Sequence, residues 1–220
     1  MRLLAFDCDG TILDTREDYA AAINHTLERF AKPTISLEDV TAFLGYGTDY
    51  LVRKSLERVG ASEIFAAFKP VYLERYFSHL CIRTHAYPRI EEFLSRAAAL
   101  GYRLAVISNK PDYAVNQLMQ RCFPTIPFSC VKGQAPTEQP KPHPELMEKV
   151  LAQLDLRPED VTYFGDTEVD AMFARNSHLG QLYMVTWGFR APGELRARLA
   201  QEDIEPARYL SAPDELFDLI

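Results

Sequence analysis

The sequence predicts an α/β protein, with a mostly parallel sheet covered on both faces by helices and an all-helical insertion early in the chain. Three observations predict it. Short apolar runs of strand length recur along the chain. Stretches with helical spacing separate most of them. One long stretch, from about Thr15 to about Arg83, carries helical patterns and no strand. Strands that alternate with helices pair in parallel, because each connection must cross the sheet and a helix fills the crossing.

Leu3 to Phe6 is the first apolar run, bounded by an acidic, glycine-containing turn. A run of that length fits a buried strand. Glu17 to Phe30 then places Ala20, Ile23, Leu27 and Phe30 on one helical stripe. Ser36 is a candidate N-cap for the next helix, because its hydroxyl can accept from the first free amides. Asp49 to Val59 and Glu63 to His79 continue the helical pattern. Ile90 to Leu100, Asp112 to Cys122 and Pro144 to Leu154 are further helices. Pro111-Asp112 and Pro144-Glu145 suit helix openings, where proline lacks nothing and acids meet the positive end. Leu104 to Ile107, Val161 to Phe164 and Leu182 to Val185 are the remaining strands. Gly133 to Pro144 holds several prolines and is expected to be a loop. The block from 15 to 83 is expected to form a small domain of its own, joined by two crossings to a body made of 1–14 and 84–220.

Composition narrows the function. At 220 residues the chain can bury a core without staples. The net charge is -7, which disfavours nucleic acid as a partner, since phosphate backbones attract basic surfaces. A local basic pocket for a phosphorylated metabolite remains compatible with it. The four cysteines show no CxxC spacing and no partnering His cluster, so reduced thiols are expected and zinc is not. Asp7 follows Met1 too soon for a signal peptide, and no apolar run reaches membrane length. A cytoplasmic protein without a membrane partner, monomer or homodimer, is expected.

Ligands of open α/β sheets collect beyond the carboxyl ends of the strands. Four polar groups lie at such positions. Asp7-Cys8-Asp9-Gly10-Thr11 follows the first strand, and alternation puts Asp7 and Asp9 on one side. Two such carboxylates repel unless a cation or shared proton separates them. Ser108-Asn109 follows the second strand and offers a hydroxyl, an amide and backbone N–H groups to phosphate oxygens. Lys141-Pro142-His143-Pro144 holds one cation between two prolines. Gly165-Asp166-Thr167-Glu168-Val169-Asp170 brings two acids four residues apart, on one face if a helix begins there. Each group also has a purely structural reading as a turn, a cap or a solvated side chain. Their order along the chain does not.

Those four segments resemble the motifs of the haloacid dehalogenase superfamily, and the resemblance spans nearly the whole chain. Val185-Thr186-Trp187-Gly188 further resembles the phosphoglycolate phosphatase branch. The resemblance implies a Rossmann-like three-layer core with parallel sheet and a mobile α-helical cap domain over residues 15–83. It implies a phosphatase in which Asp7 attacks phosphorus and Asp9 serves as acid and then base. It implies Mg2+ as cofactor, held by Asp7, the backbone carbonyl of Asp9 and Asp166. It implies that Lys141 balances charge, that Asp170 orients Lys141 or a metal-bound water, and that Ser108, Asn109, Gly10 and Thr11 hold the phosphate.

The implied substrate is a small phosphorylated acid such as 2-phosphoglycolate. Tyr46 and Gly47, in the turn Gly45-Tyr46-Gly47, and Arg53 and Lys110 are candidate contacts for it. Arg190 has no assigned role beyond structure. Two departures from the branch stand out: Cys8 replaces a larger aliphatic, and Gly133-Gln134-Ala135-Pro136 lacks an acid before Lys-Pro. The rival functions are a sugar phosphomutase on the same scaffold and a non-catalytic phosphate-binding module. Dehalogenation is disfavoured by Asp9, and a phosphonatase by the absence of a marked lysine among Lys32, Lys54 and Lys69.

Overall fold

The computed structural model describes residues 2–220. In chain order the elements are β1 (Leu3–Phe6), β2 (Leu13–Asp14), α1 (Arg16–Arg29), α2 (Leu37–Ala42), α3 (Thr48–Arg58), α4 (Phe65–Ser78) and β3 (His85–Ala86). There follow α5 (Ile90–Ala99), β4 (Arg103–Pro111), α6 (Asp112–Cys122), β5 (Cys130–Gln134), α7 (Glu145–Leu154), β6 (Val161–Gly165), α8 (Glu168–Asn176), β7 (Gln181–Val185), α9 (Pro192–Gln201) and β8 (Arg208–Leu210). Six strands form one parallel sheet in the order β5-β4-β1-β6-β7-β8.

β1 lies inside the sheet, with Ala5 paired to Ala105 on one side and Tyr163 on the other. A strand with neighbours on both sides and helices on both faces must be apolar throughout, and all four of its residues are buried. One face packs Leu4, Phe6, Val106 and Phe164 against α5 and α6. The other packs Leu3, Ala5, Ile107 and Tyr163 against α7 and α8. Cys8 is fully buried in the first cluster and serves packing there.

Four strands are not foreshadowed by an apolar run: the two-residue β2 and β3, and two strands of the large sheet. These two, β5 and β8, are edge strands of mixed composition, CVKGQ and RYL, without the apolar run that marks β1. Gly133 and Gln134 therefore end a strand, and the expected loop begins only after them. β4 runs on past Ile107 through Ser108, Asn109 and Lys110, with a shift of register before Pro111.

Between β2 and β3 the chain is helical. Ser36 caps α2, its hydroxyl accepting from the Asp39 amide at 3.0 Å. The buried face of α1 is centred on Tyr19, Ala22, Ile23, Thr26 and Leu27, so Ala20 and Phe30 sit at its margin. The stretch from Glu63 opens with a 3-10 turn before α4. These helices share an apolar cluster that includes Leu56, Phe68 and Tyr72 and reaches Ala114 and Phe189 of the α/β body.

The two crossings are paired. Leu13 and Asp14 meet Ala86 and His85 as an antiparallel ribbon. Asp18, in the first turn of α1, accepts from the amides of Ile82, Arg83 and Thr84 at 3.1, 2.9 and 3.0 Å and from the Thr84 hydroxyl at 2.7 Å. One buried carboxylate thereby satisfies the return crossing. Asp18→Ala should lower the free energy of unfolding by on the order of 1–3 kcal/mol in a urea titration, because three amides lose their acceptor. A change within experimental scatter would contradict this account of the crossing.

Candidate active site

Four stretches of chain converge where the inner strands end. The Asp7 amide donates to Phe164 O at 2.8 Å, which continues the β1–β6 ladder by one residue. Lys141 approaches from the loop before α7, and its side chain is buried. Its Nζ donates to Asp7 Oδ1 at 2.8 Å and Asp170 Oδ1 at 2.7 Å. Ile107 O and the Tyr163 hydroxyl lie 3.2 and 3.0 Å away. Tyr163 also donates to Asp170 Oδ1 at 3.1 Å. Asp170 accepts on its other oxygen from the amide and hydroxyl of Thr167, closing a capping box at the start of α8. Thus Asp170 and Tyr163 fix the ammonium, and the ammonium fixes Asp7.

Carboxylate oxygens of Asp7, Asp166 and Asp170 lie within 4.8 Å of one another. Burial pushes the Asp7 carboxyl up to about 7, against the pull of Lys141, and the nearby Asp170 and Asp9 add to the rise. Burial, then Asp170 and Asp7, holds Asp166 well above the usual carboxylate range. Burial alone would lower the Lys141 ammonium, but Asp170 and Asp7 outweigh it and hold the group well above its ordinary value. Fully ionised, three acids against one ammonium would leave negative charge uncompensated, and burial together with that repulsion raises the carboxyls. A hard divalent cation, which prefers oxygen donors, fits that deficit.

The surroundings of Asp166 fit the same conclusion. Its carboxylate accepts from the Phe189 amide at 2.8 Å, and the Thr11 hydroxyl stands 3.4 Å from its other oxygen. A Cβ on Gly10 or on Gly188 would overlap this carboxylate. Gly10 also has φ +82°, which side-chain-bearing residues rarely adopt. Both glycines keep room for Asp166 beside Asp7. Gly10 and Thr11, expected at the phosphate, thus pack against Asp166.

Asp9 turns to the opposite wall. It accepts from the Thr15 hydroxyl at 2.6 Å and the Tyr19 hydroxyl at 3.3 Å, and pairs with Lys110 Nζ at 3.0 Å. Lys110 is buried and also reaches the hydroxyls of Tyr19 and Tyr76 at 2.5 and 2.6 Å. Burial would lower this ammonium, but Asp9 and Tyr76 outweigh it and raise it. Ser108 accepts from the Lys110 amide at 3.2 Å. The Asn109 side chain joins elements: its Oδ1 accepts from the Lys141 amide at 2.6 Å, and its Nδ2 donates to Lys141 O and Gly45 O. Only the backbone of Asn109 stays available to a ligand.

Asp7, Asp9, Ser108, Asn109 and Lys110 line one cleft, closed on the far side by Gly45, Gly47, Thr48 and Leu51. Tyr46 does not line it; its hydroxyl donates to Glu168 at 2.5 Å, and burial with that contact pushes the phenol up to about 12. Arg53 does not line it either. Its exposed guanidinium stacks 4.0 Å over Phe65, within the helical block. Arg190 is buried, pairs with Glu168 at 3.3 Å and donates to Leu44 O at 2.9 Å. The space among these residues is ≈ 20 Å³, room for about one water molecule. A phosphate ester is larger than this space.

Tyr163, Thr15, Tyr19 and Tyr76 escaped the sequence reading. Alternation would have placed Tyr163 on the same sheet face as Asp7, two residues on from its neighbour Ala5, but only once the β1–β6 register was known.

The family model for haloacid dehalogenase-like hydrolases matches residues 4–182. The chain belongs to this family. A phosphoglycolate phosphatase of Nitrosospira multiformis is 29% identical over 195 residues, covering 86% of this chain and 85% of its own. Phosphoglycolate phosphatase 1 of Pseudomonas aeruginosa is 30% identical over 180 residues, covering 79% of this chain and 65% of its own. A crystal structure described as a predicted phosphoglycolate phosphatase from Haemophilus somnus superposes with a TM-score of 0.89 at 24% identity, covering 100% of this chain and 97% of that one, and shows the fold. Among the described residues no helix is long and apolar enough to cross a membrane.

Lys141→Met should lower the free energy of unfolding by about 3–5 kcal/mol in denaturant at neutral pH, because two buried carboxylates lose their cation. Tyr163→Phe keeps the shape and should lower it by only about 1 kcal/mol. Equal effects for the two variants would refute the stated division of labour around the ammonium.

Proposed function

We propose that this chain is a phosphatase acting on small phosphate monoesters, with 2-phosphoglycolate the first candidate, through a phosphoryl group carried on Asp7. The observation that supports it most is the Asp7 carboxylate, fixed by Lys141 at 2.8 Å in the cleft that also holds Asp9, Ser108 and the Asn109 backbone. Phosphoryl transfer demands positioning and charge neutralisation more than covalent chemistry by the protein. Asp7 is held in place by one ammonium, and that ammonium is held by Asp170, Tyr163 and Ile107.

A carboxylate oxygen of Asp7 attacks phosphorus while the bond to the ester oxygen breaks. Asp9 gives its proton to that departing oxygen. Asp9 then takes a proton from a water molecule, which attacks the phosphorus and frees Asp7 and inorganic phosphate. Ser108 and the Asn109 N–H hold phosphate oxygens. Mg2+, held by Asp7, Asp166 and the Asp9 carbonyl, would neutralise charge on the phosphoryl group. Residues 15–83 act as a cap over the core of 1–14 and 84–220, and exclude water when its Gly45–Leu51 wall is in place.

For the acid portion of the substrate, Lys110 is the cation that lines the cleft beside Asp9. The phosphoglycolate phosphatase relatives support a small acidic leaving group.

Initial rates of phosphate release over a panel of small phosphate esters, with Mg2+ or with a chelator, test this function. Release should require Mg2+, need no bisphosphate activator, and fall at least about 10³-fold in Asp7→Asn with the fold intact. Near-native turnover by Asp7→Asn would end the covalent mechanism. Isomerised product with little free phosphate would make the protein a mutase.

A further inference from the structure

A second pair of reactive groups lies outside the cleft. Cys81 follows α4 in the return crossing, and Cys122 is the last residue of α6. Their Sγ atoms lie 3.2 Å apart although 41 positions separate them in sequence. Both thiols are free and half-buried, whereas Cys8 and Cys130 are buried. The approach is built by other contacts. Arg121 Nη1 donates to Leu80 O at 2.7 Å, tying the residues that precede each cysteine. Asp18 fixes the three amides that follow Cys81. Cys81 itself has φ +63°, a backbone conformation rare for a residue with a side chain.

We propose that Cys81 and Cys122 form a reversible disulfide that ties the return crossing of the helical block to α6. The oxidant is a small-molecule disulfide. The Cys81 thiolate attacks one of its sulfurs, the S–S bond breaks, and one small thiolate leaves and takes up a proton. Cys122 then gives its proton to solvent and attacks the Cys81 sulfur of the mixed disulfide, expelling the second small thiol. Two protein thiols are oxidised while one small disulfide is reduced to two thiols. Burial and the adjacent Cys81 sulfur push the Cys122 thiol up to about 12, so this closing step is slow beside that of an exposed pair.

The tether has a consequence for the cleft, and that consequence alone rests on the proposed function. Cys81 belongs to the crossing that ends the helical block, and Cys122 to the α/β body. A bond between them limits how far the block swings from Asp7.

The full chain, treated with oxidised glutathione and mapped without reduction, tests the pair. The expected product has lost two hydrogens, carries a Cys81–Cys122 link, and reverts with dithiothreitol. Cys122→Ser should instead accumulate one glutathione on Cys81. A wild-type protein that keeps all four thiols, or that stops at a glutathione adduct, overturns the proposal. Amide exchange at Ile82, Arg83 and Thr84 should slow at least about tenfold on oxidation of the wild type, and not in Cys122→Ser. Unchanged exchange in a linked protein overturns the restraint on the crossing. Phosphate release should fall several-fold with the link and recover on reduction. A link that forms in a protein without phosphatase activity refutes the proposed function and leaves the thiol pair standing.

Discussion

The ammonium of Lys141 is the point on which the site depends. It binds Asp7 from the end of β1 and Asp170 from the start of α8 within one hydrogen-bond length of each. Without it, three acids brought to within 4.8 Å would face each other in a buried space. Desolvation and mutual repulsion both work against such a cluster. The sheet order explains how it arises nevertheless. β1 lies between β4 and β6, so its end is flanked by the segments carrying Ser108 and Asp166, and the loop before α7 delivers Lys141 to the same place.

The opposite wall is governed by a second cation. Lys110 joins Asp9 to the hydroxyls of Tyr19 and Tyr76, and those tyrosines belong to α1 and α4. The helical block is therefore tied to the α/β body by polar contacts at the cleft as well as by Asp18 at the crossings. Glu168 and Arg190 add a third tie, to Tyr46 and Leu44. These contacts hold the wall over Asp7 in the position described.

Much of the fold was legible because buried parallel strands and amphipathic helices leave period and length in the sequence. Leu3–Phe6 and Val161–Gly165 read as strands because both faces of each are covered. β5 and β8 did not, since edge strands carry mixed residues and lean on their neighbour for pairing. The acids and the lysine could be singled out because they sit where strands end. Partners across the sheet could not. Tyr163 and Asp18 act through register and through the meeting of two crossings, neither of which has a local signature. Arg53 shows the reverse: its charge suggested a substrate contact, and helix α3 directs it onto Phe65.

The cluster of Asp7, Asp166 and Asp170 beside Lys141 is arranged to take one divalent cation. Calorimetric titration of the purified, metal-free protein with Mg2+ tests it most directly. A single site per chain is expected, and it should disappear in Asp166→Asn while that variant remains folded. No heat of binding, or equal binding by Asp166→Asn, would contradict it.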